Sequence, residues 1–195
     1  MYFRKLRGST LTNLAGVAAL IGGLLWIVKS LSILIADKQP DFVFEVAPLF
    51  FAIATIGVVL VWEDNQGSPR QNVRTFAFVG VVAGGVAAGT YVAGGDELLF
   101  GVAIATAVIL VIGLLGYTGR DLRRDQALGR WSALPLALAL SFLLAIPVGG
   151  VLEGLNERLL EIPLLLIGIG WVALSWPLFG ISLRALPPLL GANRL

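Results

Sequence analysis

A lysine sits inside the first long apolar run of this sequence. Lys29 lies within residues 11–35, directly after Leu25, Trp26, Ile27 and Val28. That is about six residues, or roughly 9 Å at the helical rise, from the nearer end of the run. An ionisable group inside a membrane span is a functional candidate by default, because something must compensate its burial. Leu25, Gly22, Ala18 and Ala15 precede it at helical intervals and form a face of mostly small residues. Such faces pack against other helices, so Lys29 is expected to point into a bundle rather than at lipid.

Glu45 opens the next apolar run after a connection of only residues 36–41, and a Lys29–Glu45 ion pair is the expected geometry. Two chemistries follow from it. The pair could act as a gate or a solute contact opening outward. Alternatively it is structural, with Lys29 extending its ammonium about 6 Å toward the interface and Glu45 as partner. The structural use is the expectation. Six spans and a first-helix lysine do not fit a retinal Schiff base.

Little other chemistry is available. The chain has no Cys and no His, which excludes disulfides, thiolate nucleophiles, Fe–S clusters, His-ligated haem and the commonest general base. No two carboxylates fall within spans, so the reading has no catalytic residue, no metal site and no cofactor. Gly80-Val81-Val82-Ala83-Gly84-Gly85 is not a phosphate loop, since no strand precedes it and no Lys-Ser/Thr follows.

The elements that carry these residues are set by composition. The 195 residues are 57% hydrophobic and 13% charged, with mean hydropathy +0.90. Soluble domains hold about 45–50% apolar and about 25% charged residues. Spanning a bilayer core takes about 20 apolar residues per helix. Six segments qualify, at about 11–35, 42–62, 73–93, 98–117, 131–152 and 162–183. Backbone groups in hydrocarbon must be satisfied within their own segment, so runs of this length are helices. The expected fold is all-α: a polytopic membrane bundle of six transmembrane helices forming a single transmembrane domain over residues 1–195. Arg4, Lys5 and Arg7 resemble the basic start of a signal peptide, but the run after them is too long for one and reads as a retained first helix.

Lys and Arg set the orientation. Arg4, Lys5, Arg7, Arg70, Arg74, Arg120, Arg123, Arg124, Arg130, Arg184 and Arg194 fall on one side, and only Lys38 and Arg158 on the other. This alternation predicts both termini in the cytoplasm (N-in/C-in), in the inner membrane of a prokaryote. The basic pI near 9.3 is thus a topology signal, and no nucleic-acid partner is expected. Acidic residues sort oppositely: Asp37, Asp41, Glu45, Asp96, Glu97, Glu153, Glu157 and Glu161 gather at the outer side. Trp62, Tyr117 and Trp131 end spans at the cytoplasmic boundary, as an aromatic belt does.

Gly80, Gly84, Gly85 and Gly89 give the third span two small-x-x-x-small spacings, which let backbones approach closely. That span is expected to be the crowded centre of the bundle, with an oligomer interface as the alternative. Gly22-Gly23 before Trp26 and Gly168 to Gly170 before Trp171 share a Gly-rich approach to Trp, a faint hint of an inverted repeat. Pro147 with Gly149 and Gly150 is expected to weaken the end of the fifth helix, and Pro177 to kink the sixth. Residues 151–160 have the pattern of a short amphipathic surface helix. Residues 120–130 form a basic run able to contact anionic head groups.

The polar residues in spans two to six are few: Thr55, Thr90, Thr106, Ser141 and Ser175. A site for a polar solute needs more. The functional expectation is a non-catalytic accessory or structural subunit. Its partners would be the lipid bilayer and a larger membrane protein complex, or an apolar ligand or lipid. The alternative is a small transporter, channel or solute-binding subunit with an outward-facing site near Lys29 and Glu45. A cavity around those residues would favour transport, and a closed ion pair the structural role.

Overall fold

The computed structural model describes residues 2–38, 40 and 43–185, with side chains described for residues 10–38, 40 and 45–179. Six α-helices follow in order: α1 (Tyr2–Ala36), α2 (Val43–Gln66), α3 (Gln71–Val92), α4 (Glu97–Arg124), α5 (Leu134–Glu153) and α6 (Glu161–Ala185). All six are long and apolar enough to cross a membrane. Single 3-10 turns, Gly129–Trp131 and Glu157–Leu160, precede α5 and α6. Apolar runs of this length satisfy their backbone groups within their own segment as helix, which is the form a membrane span requires.

Each helix packs on its neighbours in sequence. α6 returns to close against α1 in the most extensive contact of the bundle, and α2 also reaches α4. The end of the bundle holding Lys29 and Glu161 is called the acidic end below, and that holding Arg70 and Arg120 the basic end. α2 is the central helix, with 67% of its most apolar stretch buried against 22% for α3. Phe51 of α2 stacks on Trp171 of α6 at 4.7 Å and 11°, and meets Trp26 of α1 edge-on at 5.1 Å. Phe142 of α5 packs on both Trp26 and Phe51. Four helices therefore share one aromatic core, and offset or edge-on ring pairs add to the burial they make.

Close approach depends on glycine at specific crossings. A Cβ at Gly23 would stand 2.6 Å from the Gly168 carbonyl oxygen, so α1 and α6 touch through backbone. The shared Gly-rich approach to Trp26 and Trp171 is thus one contact between two helices. Gly57 of α2 receives Ala15 of α1. A Cβ at Gly119 of α4 would stand 2.6 Å from the Leu136 nitrogen of α5.

The glycines of α3 divide. Gly84 lies against Leu49, where a Cβ would come within 2.8 Å of its Cα, and Gly80 faces Leu110 and Ala52 at ordinary distances. A Cβ at Gly85 or Gly89 would meet nothing within 4 Å. The Gly-rich helix is therefore not the crowded centre expected for it: two of its glycines serve packing and two lie on an open face. α5 and α6 run on as helix beyond Pro147 and Pro177. Residues 151–160 hold the end of α5 and a short 3-10 turn rather than a surface helix. α4 extends to Arg124, about two turns beyond the expected boundary at Tyr117, which puts Arg120, Asp121 and Arg124 on rigid helix.

This division of α3 is testable. Gly84→Leu should lower the unfolding temperature in detergent markedly, since overpacking a tight contact costs about 1–3 kcal/mol. Gly85→Leu, one residue away, should leave it within a degree or so. Equal effects of the two substitutions would contradict the packing described.

Candidate functional site

Lys29 is 6% exposed and Glu161 5%. The Lys29 Nζ donates to Glu161 Oε1 at 2.8 Å, and the adjacent Ser30 Oγ donates to Oε2 at 2.9 Å. Successive helical residues are about 100° apart, so α1 presents ammonium and hydroxyl side by side to the two oxygens of one carboxylate. Glu161 is the first residue of α6, where the positive end of the helix dipole favours an anion. The cluster is closed: each carboxylate oxygen has its own donor, and all three residues are buried. In a low-dielectric interior such a pair holds firmly only when its remaining groups are also hydrogen-bonded, as Ser30 does here.

The carboxylate that Lys29 holds is therefore Glu161, not Glu45. The loop argument favoured Glu45 because α1 and α2 are sequence neighbours, whereas Glu161 is 132 positions away. The bundle places Glu45 at nearly the same depth. Gly57 meets Ala15 and Gly22 meets Phe51, and this antiparallel register brings Glu45 close to the level of Lys29. Glu45 is 9% exposed, and its Oε2 has no hydrogen-bond partner among the described residues. Glu161 stands directly before the last apolar run in the sequence, but the Gly23–Gly168 contact that brings it to Lys29 is seen only in the packed bundle.

A second polar cluster lies at the basic end, and its acidic residues act as ties. Glu63 of α2, 5% exposed, accepts from the Arg70 backbone N–H at 3.0 Å and from Arg74 Nε at 2.7 Å, fixing the turn into α3. Trp62 Nε1 donates to Asp121 Oδ2 of α4 at 3.0 Å. Asn65 and Gln66 both donate to Asp125. The Arg70 guanidinium lies 5.3 Å over the Trp62 ring and donates to the Tyr117 hydroxyl at 2.6 Å. Beside them a half-open recess of about 760 Å³ is lined by Arg70, Gly116, Tyr117, Arg120, Asp121 and Arg124. Residues 120–130 are legible in the sequence as a basic run, but that Arg70, which caps α3, joins Arg120 and Arg124 is decided only by the packing of the bundle.

Five hydroxyls on the spanning helices serve their own helix. Thr55 donates to the Phe51 carbonyl, Thr106 to Val102, Thr118 to Leu114, Ser141 to Ala137 and Ser175 to Val172. These bonds leave those groups little to offer a solute. Among the described residues, no group of three His, Cys, Asp or Glu side chains could hold a metal ion. No family model, no curated protein and no solved structure matches this chain.

The closed cluster has a measurable consequence. Lys29→Leu should destabilise the protein by about 3–5 kcal/mol, because it leaves Glu161 as an uncompensated buried charge. The double variant Lys29→Leu/Glu161→Leu should recover most of that loss. A double-mutant cycle by thermal unfolding in detergent measures the coupling, and additive losses would mean that the two residues do not act as a pair.

Proposed function

We propose that this chain is a non-catalytic integral protein of a prokaryotic cytoplasmic membrane, with both termini in the cytoplasm. It acts as an accessory or structural subunit that packs against a larger membrane complex or holds lipid. The observation that carries this reading is the way the polar groups inside the spans are used up. Lys29 and Ser30 each hold one oxygen of Glu161, and Thr55, Thr106, Ser141 and Ser175 bond to their own helix carbonyls. A path for a polar solute requires polar groups left free to replace its hydration. The open face of α3 around Gly85 and Gly89 also suits close approach of another helix. The orientation rests on the eleven-to-two bias of Lys and Arg between the two sides.

One observation favours a second reading, a small transporter or solute-binding subunit. Glu45 is buried with an unpartnered oxygen near the level of Lys29. A carboxylate in that position suits a proton or a cation exchanged at the acidic end.

Extraction from native membranes in mild detergent, followed by mass spectrometry, tests the first reading. A larger partner at fixed stoichiometry is the expected result. A lone protein with solute uptake that Glu45→Gln abolishes would replace it with the second. The orientation has a separate check, because the natural chain has no Cys. Ser68→Cys should react with an impermeant maleimide only after the cells are opened, and Glu157→Cys should react in intact cells. The reverse pattern would invert the topology.

A further inference from the structure

We propose that the recess at the basic end is a binding site for a phosphate ester, and that its occupant is the headgroup of an anionic phospholipid. Three guanidiniums, those of Arg70, Arg120 and Arg124, line it with a single carboxylate, Asp121. That carboxylate already accepts from Trp62. Arg70 is held in place by the Trp62 ring beneath it and by Tyr117. Since the Tyr117 hydroxyl accepts from Arg70, its own proton is available to donate. Arg120 and Arg124 make no ion pair among the described residues. A planar guanidinium matches two oxygens of a phosphate, and several such donors on rigid elements form a phosphate site.

The shape of α4 selects a lipid over a soluble phosphate. Ile109, Gly113, Gly116, Arg120 and Arg124 follow at intervals of three or four and share one face of the helix. Ile109 is 67% exposed, and a Cβ at Gly113 would meet nothing within 4 Å. The face is thus open and apolar in its inner part and becomes cationic as it leaves the hydrocarbon. Tyr117 is half exposed at the change, where an amphipathic ring belongs. Acyl chains lie along Ile109 and Gly113 while the phosphodiester reaches Arg120, Arg124 and the Tyr117 hydroxyl. The inference rests on the membrane-embedded reading above but not on the accessory role.

Native mass spectrometry of the detergent-purified full chain tests the site. The protein is mixed with phosphatidylglycerol and phosphatidylcholine of matched acyl chains in equal amounts. The wild-type chain should retain phosphatidylglycerol preferentially. Arg120→Gln/Arg124→Gln should lose the preference, by about fivefold for each guanidinium removed. Arg123→Gln, an exposed change of equal charge outside the recess, should keep it. Equal retention of both lipids, or an equal loss in the Arg123 variant, overturns the site. Displacement of phosphatidylglycerol by millimolar inorganic phosphate also overturns the choice of a lipid occupant, because a soluble phosphate would then suffice. A chain that fails to float with vesicles of any composition overturns the membrane reading itself, whereas a floating chain without lipid preference overturns only the site.

Discussion

A lysine buried among apolar helices has to be neutralised, and the contact between α1 and α6 does so. Lys29 cannot reach water cheaply from a helix face that is otherwise small and apolar, so a carboxylate must come to it. Glu161 does so from the start of α6, and Ser30 occupies the oxygen that Lys29 leaves. The first and last helices are thereby joined at the acidic end of the bundle. Below this cluster the Gly23–Gly168 contact lets the backbones of α1 and α6 meet, and the rings of Trp26 and Trp171 then reach Phe51 from opposite helices. Charge, backbone approach and aromatic packing are three layers of the same contact.

The two ends of the bundle solve different problems. At the acidic end a buried ion pair closes α1 on α6, and the Glu45 Oε2 beside it has no hydrogen-bond partner among the described residues. At the basic end the carboxylates of Glu63, Asp121 and Asp125 tie α2 to α3 and to α4. The guanidiniums of Arg120 and Arg124 remain turned outward beside Tyr117. Acidic residues on a basic face therefore orient their cationic neighbours as well as offsetting charge. The rigid extension of α4 to Arg124 makes this possible, since cations on a loop would not hold a fixed spacing.

Helix packing in lipid has no hydrophobic drive of its own, because lipid tails are as apolar as Leu. Close contact and directional polar bonds must then do the sorting. This accounts for the central position of α2, which offers Phe51 to α6, Gly57 to α1 and Trp62 to α4. It also accounts for the peripheral position of α3 despite its glycines: only Gly84 meets a backbone close enough to need the missing side chain.

The helices were legible in the residues themselves, because periods, lengths and hydropathy are local quantities and hydrocarbon permits only one satisfied backbone. Lys29 stood out for the same reason, as a charge is conspicuous in an apolar run wherever the helix lies. What the residues could not specify was partnership. Short connections point to neighbours in sequence, and by that logic Lys29 belonged with Glu45. The partner came from 132 positions away, because α6 packs on α1 through Gly23 and Gly168, and pairing between distant helices has no local signature. The same holds at the other end, where Arg70 and Arg120 share a recess only through the packing of the bundle. The residues determined which groups are costly to bury, and the tertiary packing alone decided which group compensates which.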